Sequence, residues 1–202
     1  MYSDITGIIL AGGKSSRMGV NKSFLKIGEK TIIEHITKLM KSIFNEVIII
    51  TNTVEEYAYL QFPMYEDIYK GKGPMGGIHS GLINSKTEKN FVISCDVPLM
   101  TKEMIEFIVE YESDKSVKFC EAAGYHQPMA GYYTKTILTE LEITITSNNK
   151  NIEKPFHHFL MKINSEIIHP QKLSFYKDEI FFNVNEPKDY EWLTAKHKFY
   201  GG

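Results

Sequence analysis

Short unbroken apolar runs alternate, through the first half of the chain, with longer segments whose apolar positions recur every three or four residues. TGIIL (residues 6–10), EVIIIT (46–51) and NFVISCD (90–96) are too short for helices and rich in β-branched side chains. That is the pattern of strands buried on both faces. TIIEHITKLMKSIF (31–44) places Ile32, Ile33, Ile36, Leu39, Met40 and Ile43 on one helical face. Residues 76–85 predict a second helix. Residues 101–111 predict a third, with Thr101 as N-cap and Met104, Ile105, Ile108 and Val109 turned inward. Strands alternating with helices imply βαβ units: an α/β fold with a mainly parallel central sheet and helices on both faces. In such sheets ligands bind beyond the carboxyl ends of the strands. The loops after Leu10, Thr51 and Cys95 are therefore expected on one edge.

The second half is less regular. PMAGYYT (128–134) reads as a strand, and KTILTELEI (135–143) and KPFHHFLMKI (154–163) as helices. EIFFNVN (179–185) reads as a strand, and EPKDYEWLTAKH (186–197), opening on Glu-Pro, as a closing helix. The polar stretch TSNNKN (146–151) reads as a mobile loop. With no repeat, linker or low-complexity tract, residues 1–202 read as a single domain.

Composition narrows the partners. The 202 residues are 43% hydrophobic and 24% charged, with a formal charge of -2. These values are ordinary for a soluble globular chain, and the charge gives no electrostatic reason to propose nucleic acid or an anionic membrane. No apolar stretch is long enough to span a bilayer, and MYSDITG does not read as a signal peptide, so the cytoplasm is the expected location. Cys95 and Cys120 lack metal-ligand spacing. They could form one disulfide, but the reading for a reducing compartment is buried free thiols.

The first strand runs into LAGGKSSRMG (10–19), where candidate chemistry begins. A Walker A loop, G-x-x-x-x-G-K-[ST], ending at Gly13-Lys14-Ser15 would need glycine at position 8, which is Ile8. The dinucleotide fingerprint G-x-G-x-x-G fails on spacing too. What remains is a turn whose Gly12 and Gly13, lacking Cβ, let backbone N–H groups approach a base and phosphates. Arg17 and Lys22 follow as cations for a triphosphate. Arg17 is the chain's single arginine beside 22 lysines, and its planar fork can grip two phosphate oxygens at once.

LAGGKSSRMGVNK resembles the signature of the molybdenum cofactor guanylyltransferases, roughly L-A-G-G-x-S-x-R-M-G-x-D-K. It matches at Leu10, Ala11, Gly12, Gly13, Ser15, Arg17, Met18, Gly19 and Lys22. Asn21 replaces the usual acidic residue. YEDIYKGKGPMGGIHSGL, FVISCDVPLM and FFNVNEPKDY resemble three further family segments, in the family's order. The resemblance implies a three-layer, Rossmann-like nucleotidyltransferase fold. It also implies a reaction joining GMP from GTP to the terminal phosphate of molybdopterin, with Mg²⁺. It places the backbone of Leu10, Ala11 and Gly12 against the nucleotide, Lys22 at the phosphates, Asp67 at the nucleotide, and Asp96 at both nucleotide and metal. A transient contact with proteins that deliver molybdopterin is a further expectation.

The residues themselves support these roles unequally. Asp96 ends a buried run just before Val97-Pro98, so its carboxylate is expected on the ligand edge, where a hard-oxygen ligand suits Mg²⁺. Asp67 could equally begin a loop. GKGPMGG (71–77) could be an ordinary turn, or a helix starting near Gly76 could point N–H groups at an anion, with Lys72 helping. Asn183 and Asn185 flank Val184, and on a strand would project to one side, toward a polar ligand such as the pterin; turn-forming asparagines are the equal alternative. His126-Gln127-Pro128 falls where the family tends to have a substrate-side loop. His157-His158 does not read as a metal pair, because adjacent helical residues point about 100° apart. Ser15 and Ser16 are not needed as nucleophiles, since the substrate's phosphate can attack. Rival readings are a transferase using CTP or another phosphorylated acceptor, and a nucleotide-binding regulator without catalysis. Gly12 favours guanylyl transfer, because the sister enzymes more often carry L-A-A-G.

Overall fold

β1 (Tyr2–Leu10) lies in the middle of the sheet, paired in parallel on one side and, across its whole apolar stretch, on the other. The computed structural model describes residues 1–12, 21–147 and 155–200. After β1 come the small hairpin of β2 (Lys26–Ile27) and β3 (Lys30–Thr31), then α1 (Ile32–Ile43) and β4 (Phe44–Ile50). α2 (Val54–Tyr57) and β5 (Met64–Tyr65) precede α3 (Pro74–Asn84), β6 (Lys89–Ser94) and α4 (Lys102–Glu110). β7 (Val117–Ala122) and β8 (Tyr125–Thr134) lead to α5 (Leu138–Thr146), α6 (Pro155–Lys162), β9 (Glu166–Ile168) and α7 (Pro187–Tyr200).

Among the described residues the main sheet has seven strands in the order β5-β4-β1-β6-β8-β7-β9. Only β8 runs against the rest, antiparallel to β6 and β7. The expected α/β architecture holds, because each buried run carries two hidden faces. Ile5 and Ile9 of β1 pack with Ile33, Ile36 and Met40 of α1 and with Met104 and Ile105 of α4. Ile8 and Leu10 pack on the other face with Ile78 and Leu82 of α3, Leu141 of α5 and Phe159 of α6. α1 starts where expected because Thr31 and Glu34 form a reciprocal capping box, worth about 1 kcal/mol.

One expected strand is absent. Residues 178–181 form a single 3-10 turn and 182–185 an extended loop, so EIFFNVN is not a strand. Ile180 and Phe181 are both buried, and this turn lays them on the core. Phe182, partly buried against the core, packs on Trp192, with ring centroids 4.4 Å apart. Val184 bonds to the carbonyl of Asp96 rather than to a strand. The expected loop at 146–151 falls partly outside the described residues; Thr146 itself closes α5. Among the described residues no helix is long and apolar enough to cross a membrane.

Both cysteines are free and buried. Burial pushes the thiol of Cys95 up to about 11 and that of Cys120 up to about 12, from an ordinary 9.0. An unfolded chain would release these protons near 9.0 while the fold retains them. Between about pH 9 and 11 the unfolded state therefore binds fewer protons, and stability falls as pH rises. Each thiol contributes up to about 1.4 kcal/mol per pH unit in that window. Urea midpoints measured from pH 8.5 to 10.5 should decline, and decline less steeply in Cys120→Ala.

A cleft at the carboxyl edge of the sheet

The chain crosses from one side of β1 to the other between β5 and β6, so β1 and β6 flank the switch point of the sheet. A cleft of about 1010 Å³ opens there, lined by residues that follow β1, β4 and β6. The three loops expected on one edge do meet. Ala11 N–H donates to the carbonyl of Ile50 at 2.9 Å, and Cys95 N–H to that of Leu10 at 3.1 Å. These bonds fix Leu10, Ala11 and Gly12 as the floor of the cleft. Gly13 and Arg17 lie outside the described residues.

Asp96 lines the same cleft from across the switch point. Its Oδ1 is buried and has no hydrogen-bond partner among the described residues. A buried carboxylate oxygen left bare is costly unless something outside the protein completes it. Among the described residues no group of three His, Cys, Asp or Glu side chains could hold a metal ion. A single carboxylate fits a Mg²⁺ ion that takes its remaining ligands from phosphate oxygens and water.

Asp67 sits after β5, clamped to Asn52 after β4. Asn52 Nδ2 donates to Asp67 Oδ2 at 2.8 Å, and Asp67 N–H donates back to Asn52 Oδ1 at 3.1 Å. Both line the cleft. Asn52 was missed by sequence reasoning. A polar residue directly following a buried strand was the available signal, but it needed the neighbouring loop to give it meaning. α3 begins beside them, after Gly73, whose φ of 58° admits the tight entry. With no side chain at this N-cap, the first N–H groups of α3 have no side-chain acceptor there, the arrangement that favours an anion. Lys72 directly precedes that turn.

Lys22 and Asn185 meet although 163 positions apart: Nζ donates to Oδ1 at 3.0 Å. Val184 N–H donates to the carbonyl of Asp96 at 3.0 Å, which brings this loop against the Asp96 turn. Asn183 behaves differently, turning its amide back to the carbonyl of Phe181 at 2.9 Å. The expectation that both asparagines leave one side of a strand is thus corrected, since the segment is an extended loop after a 3-10 turn. Asn21 has work of its own. It caps the short 3-10 helix Lys22–Phe24 through Ser23 N–H and donates to Glu56 at 3.1 Å and to Tyr57 at 3.0 Å. An aspartate here would lose both donations and face Glu56 with like charge. From Tyr57 the chain of bonds continues through Ser23 to Cys95 Sγ, each step 3.0 Å.

His126, Gln127 and Pro128 follow Tyr125 in the first half of β8, and His126 stacks on His157 of α6. That stacked pair belongs to a second cluster farther along the edge.

Residues 7–157 match the family model described as a MobA-like NTP transferase domain. A "Probable molybdenum cofactor guanylyltransferase" of Carboxydothermus hydrogenoformans is 37% identical over 193 residues, covering 94% of this chain and 95% of the relative. A protein of the same name from Clostridium perfringens is 36% identical over 191 residues, covering 93% and 95%. Among solved structures, the molybdopterin-guanine dinucleotide biosynthesis protein A of Archaeoglobus fulgidus superposes with a TM-score of 0.81, at 21% identity, over 96% of this chain and 99% of its own. That likeness shows a shared nucleotidyltransferase fold. The chain belongs to the MobA-like NTP transferase family.

Proposed function

We propose that this nucleotidyltransferase moves GMP from GTP to the terminal phosphate of molybdopterin, releasing pyrophosphate. The observation that carries the reading is Asp96: a buried carboxylate oxygen without a partner among the described residues, in a cleft at the switch point, beside the Lys22–Asn185 pair. Relatives named for this activity match nearly the whole chain, which is taken as one transferase domain working in the cytoplasm.

In this reading an oxygen of the acceptor phosphate attacks the α-phosphorus of GTP, and the bond to the β-phosphate breaks as pyrophosphate leaves. No side-chain nucleophile is needed. The protein's part is placement and charge. Leu10, Ala11, Gly12 and Gly13 offer backbone to the nucleotide, and Asp67, held by Asn52, contacts it from the opposite wall. Lys22 and Arg17 offset phosphate charge. Lys22 already has a carbonyl oxygen of Asn185 to orient it. Asn185, paired with Lys22, would meet the acceptor on this side of the cleft; Asn183, bonded back to Phe181, would shape that loop. Asp96 would hold Mg²⁺, which when bound neutralises charge at the α-phosphate and the departing pyrophosphate. Proteins that deliver molybdopterin would meet the chain only transiently.

The alternative of a transferase specific for CTP is separated by calorimetric titration with GTP, CTP and ATP, each with Mg²⁺. GTP should bind at least about tenfold more tightly than CTP, a gap of about 1.4 kcal/mol. Tighter binding of CTP would remove the guanine assignment.

A further inference from the structure

One cluster on the same sheet edge has no part in the chemistry derived above. Glu121 of β7 lies opposite His126 of β8 in the strand pairing. Its carboxylate oxygens face His126 Nε2 at 3.4 Å and His169 Nδ1 at 3.9 Å. Contacts this long leave most of the carboxylate's acceptor capacity open. Gln171 steadies the strand end by donating to the carbonyl of Glu121 at 2.8 Å. The His126 ring lies nearly parallel to that of His157, with centroids 5.5 Å apart and 9° between the planes. The buried ring of Phe119 also meets it edge-on, with centroids 5.5 Å apart. His157 completes the stack from the exposed face of α6.

β6 and β7 both run against β8, so Asp96 and Glu121 leave the same edge of the sheet. They stand two strand spacings apart, roughly 10 Å. Met129 of β8, which lines the cleft, lies on the strand between them. A carboxylate with open lone pairs beside a flat aromatic wall suits a planar heterocycle carrying adjacent ring N–H and exocyclic amino donors. The aminopyrimidinone half of a pterin has both.

We propose that Glu121, His126 and His157 form the subsite for the pterin end of the acceptor. Glu121 accepts the paired N–H groups, the exposed imidazole of His157, backed by His126, supplies the stacking wall, and the acceptor's phosphate reaches back along the edge to Asp96. This rests on the reading of the chain as a molybdopterin guanylyltransferase.

The test is transfer kinetics with molybdopterin varied and GTP saturating, beside calorimetric titration of GTP. Glu121→Gln turns one acceptor oxygen into a donor and should raise the acceptor KM at least about tenfold, with the GTP dissociation constant unchanged. Glu121→Asp should recover part of the loss. His157→Ala changes an exposed side chain and should raise the same KM about three- to tenfold; His157→Phe, which keeps a flat ring, should restore most of it. If wild type transfers GMP to molybdopterin while neither Glu121→Gln nor His157→Ala moves the acceptor KM, the subsite is overturned and the guanylyltransferase reading stands. Loss of GTP affinity parallel to the loss of acceptor affinity also overturns it, as a structural effect. Wild type that binds GTP but does not use molybdopterin overturns the functional reading, and the subsite with it.

Discussion

Asp96→Asn should lower GMP transfer by about a thousandfold or more while leaving the fold intact. The exchange keeps the size of the side chain and does not touch the backbone carbonyl that accepts from Val184. It removes the negative charge from a cleft where one buried carboxylate oxygen has no partner among the described residues. Asparagine can still accept a hydrogen bond, so a merely structural role for Asp96 would survive the change. A role in holding a divalent cation against a triphosphate would not, because the hard anionic ligand is gone. Single-turnover transfer and thermal unfolding, measured on the same preparation, separate the two. A normal melting temperature with transfer lost is the expected result. Near-normal turnover would take Asp96 out of the mechanism.

Gly81→Val should be the most damaging single change to the fold among those considered. α3 lies so close to β1 that a Cβ built at Gly81 would meet Ile8 Cγ2 at 2.6 Å and Ile8 Cδ1 at 3.1 Å. Ile8 is itself fully buried, so it has no free space into which to move. The added branched side chain must push α3 off the sheet, at a cost of about 3 kcal/mol. For a chain of this size that corresponds to a fall of roughly 6–12 °C in melting temperature. The displacement would also carry away the N-terminal end of α3, where Gly73, Pro74 and Gly77 line the cleft. GTP affinity should therefore drop together with stability. An unchanged melting temperature would show that the helix can shift without loss.

The two changes draw on very different kinds of legibility. Gly81 was visible in the sequence only as one more glycine in a helix. Its meaning is the distance between α3 and β1, which no local pattern encodes. β7 escaped sequence reasoning for a related reason. Lys118 interrupts its apolar pattern, yet is only 5% exposed. Its ammonium donates to the carbonyls of Val109 and Tyr111 at 2.9 and 2.8 Å and lies over the Tyr132 ring. A buried lysine is tolerated because the carbonyls at the end of α4 are there to receive it. β5 and β9, with two and three residues, are too short to show any period. EIFFNVN reads as a strand from its apolar content, but the segment forms a turn over the core.

By itself the sequence determined the order of the buried strands and helices, the sheet edge on which the segments after β1, β4 and β6 meet, and the residue types that follow β1. It did so because hydrophobic periodicity and chain connectivity are local, and each segment declares them alone. Tertiary structure decided the polar pairs: Lys22 with Asn185, Asn52 with Asp67, Asn21 with Glu56, and Glu121 between His126 and His169. Such pairs follow from which loops the strand order brings to one edge. A hydrogen bond depends on angstroms between side chains far apart in sequence, and that distance exists only once the sheet has formed.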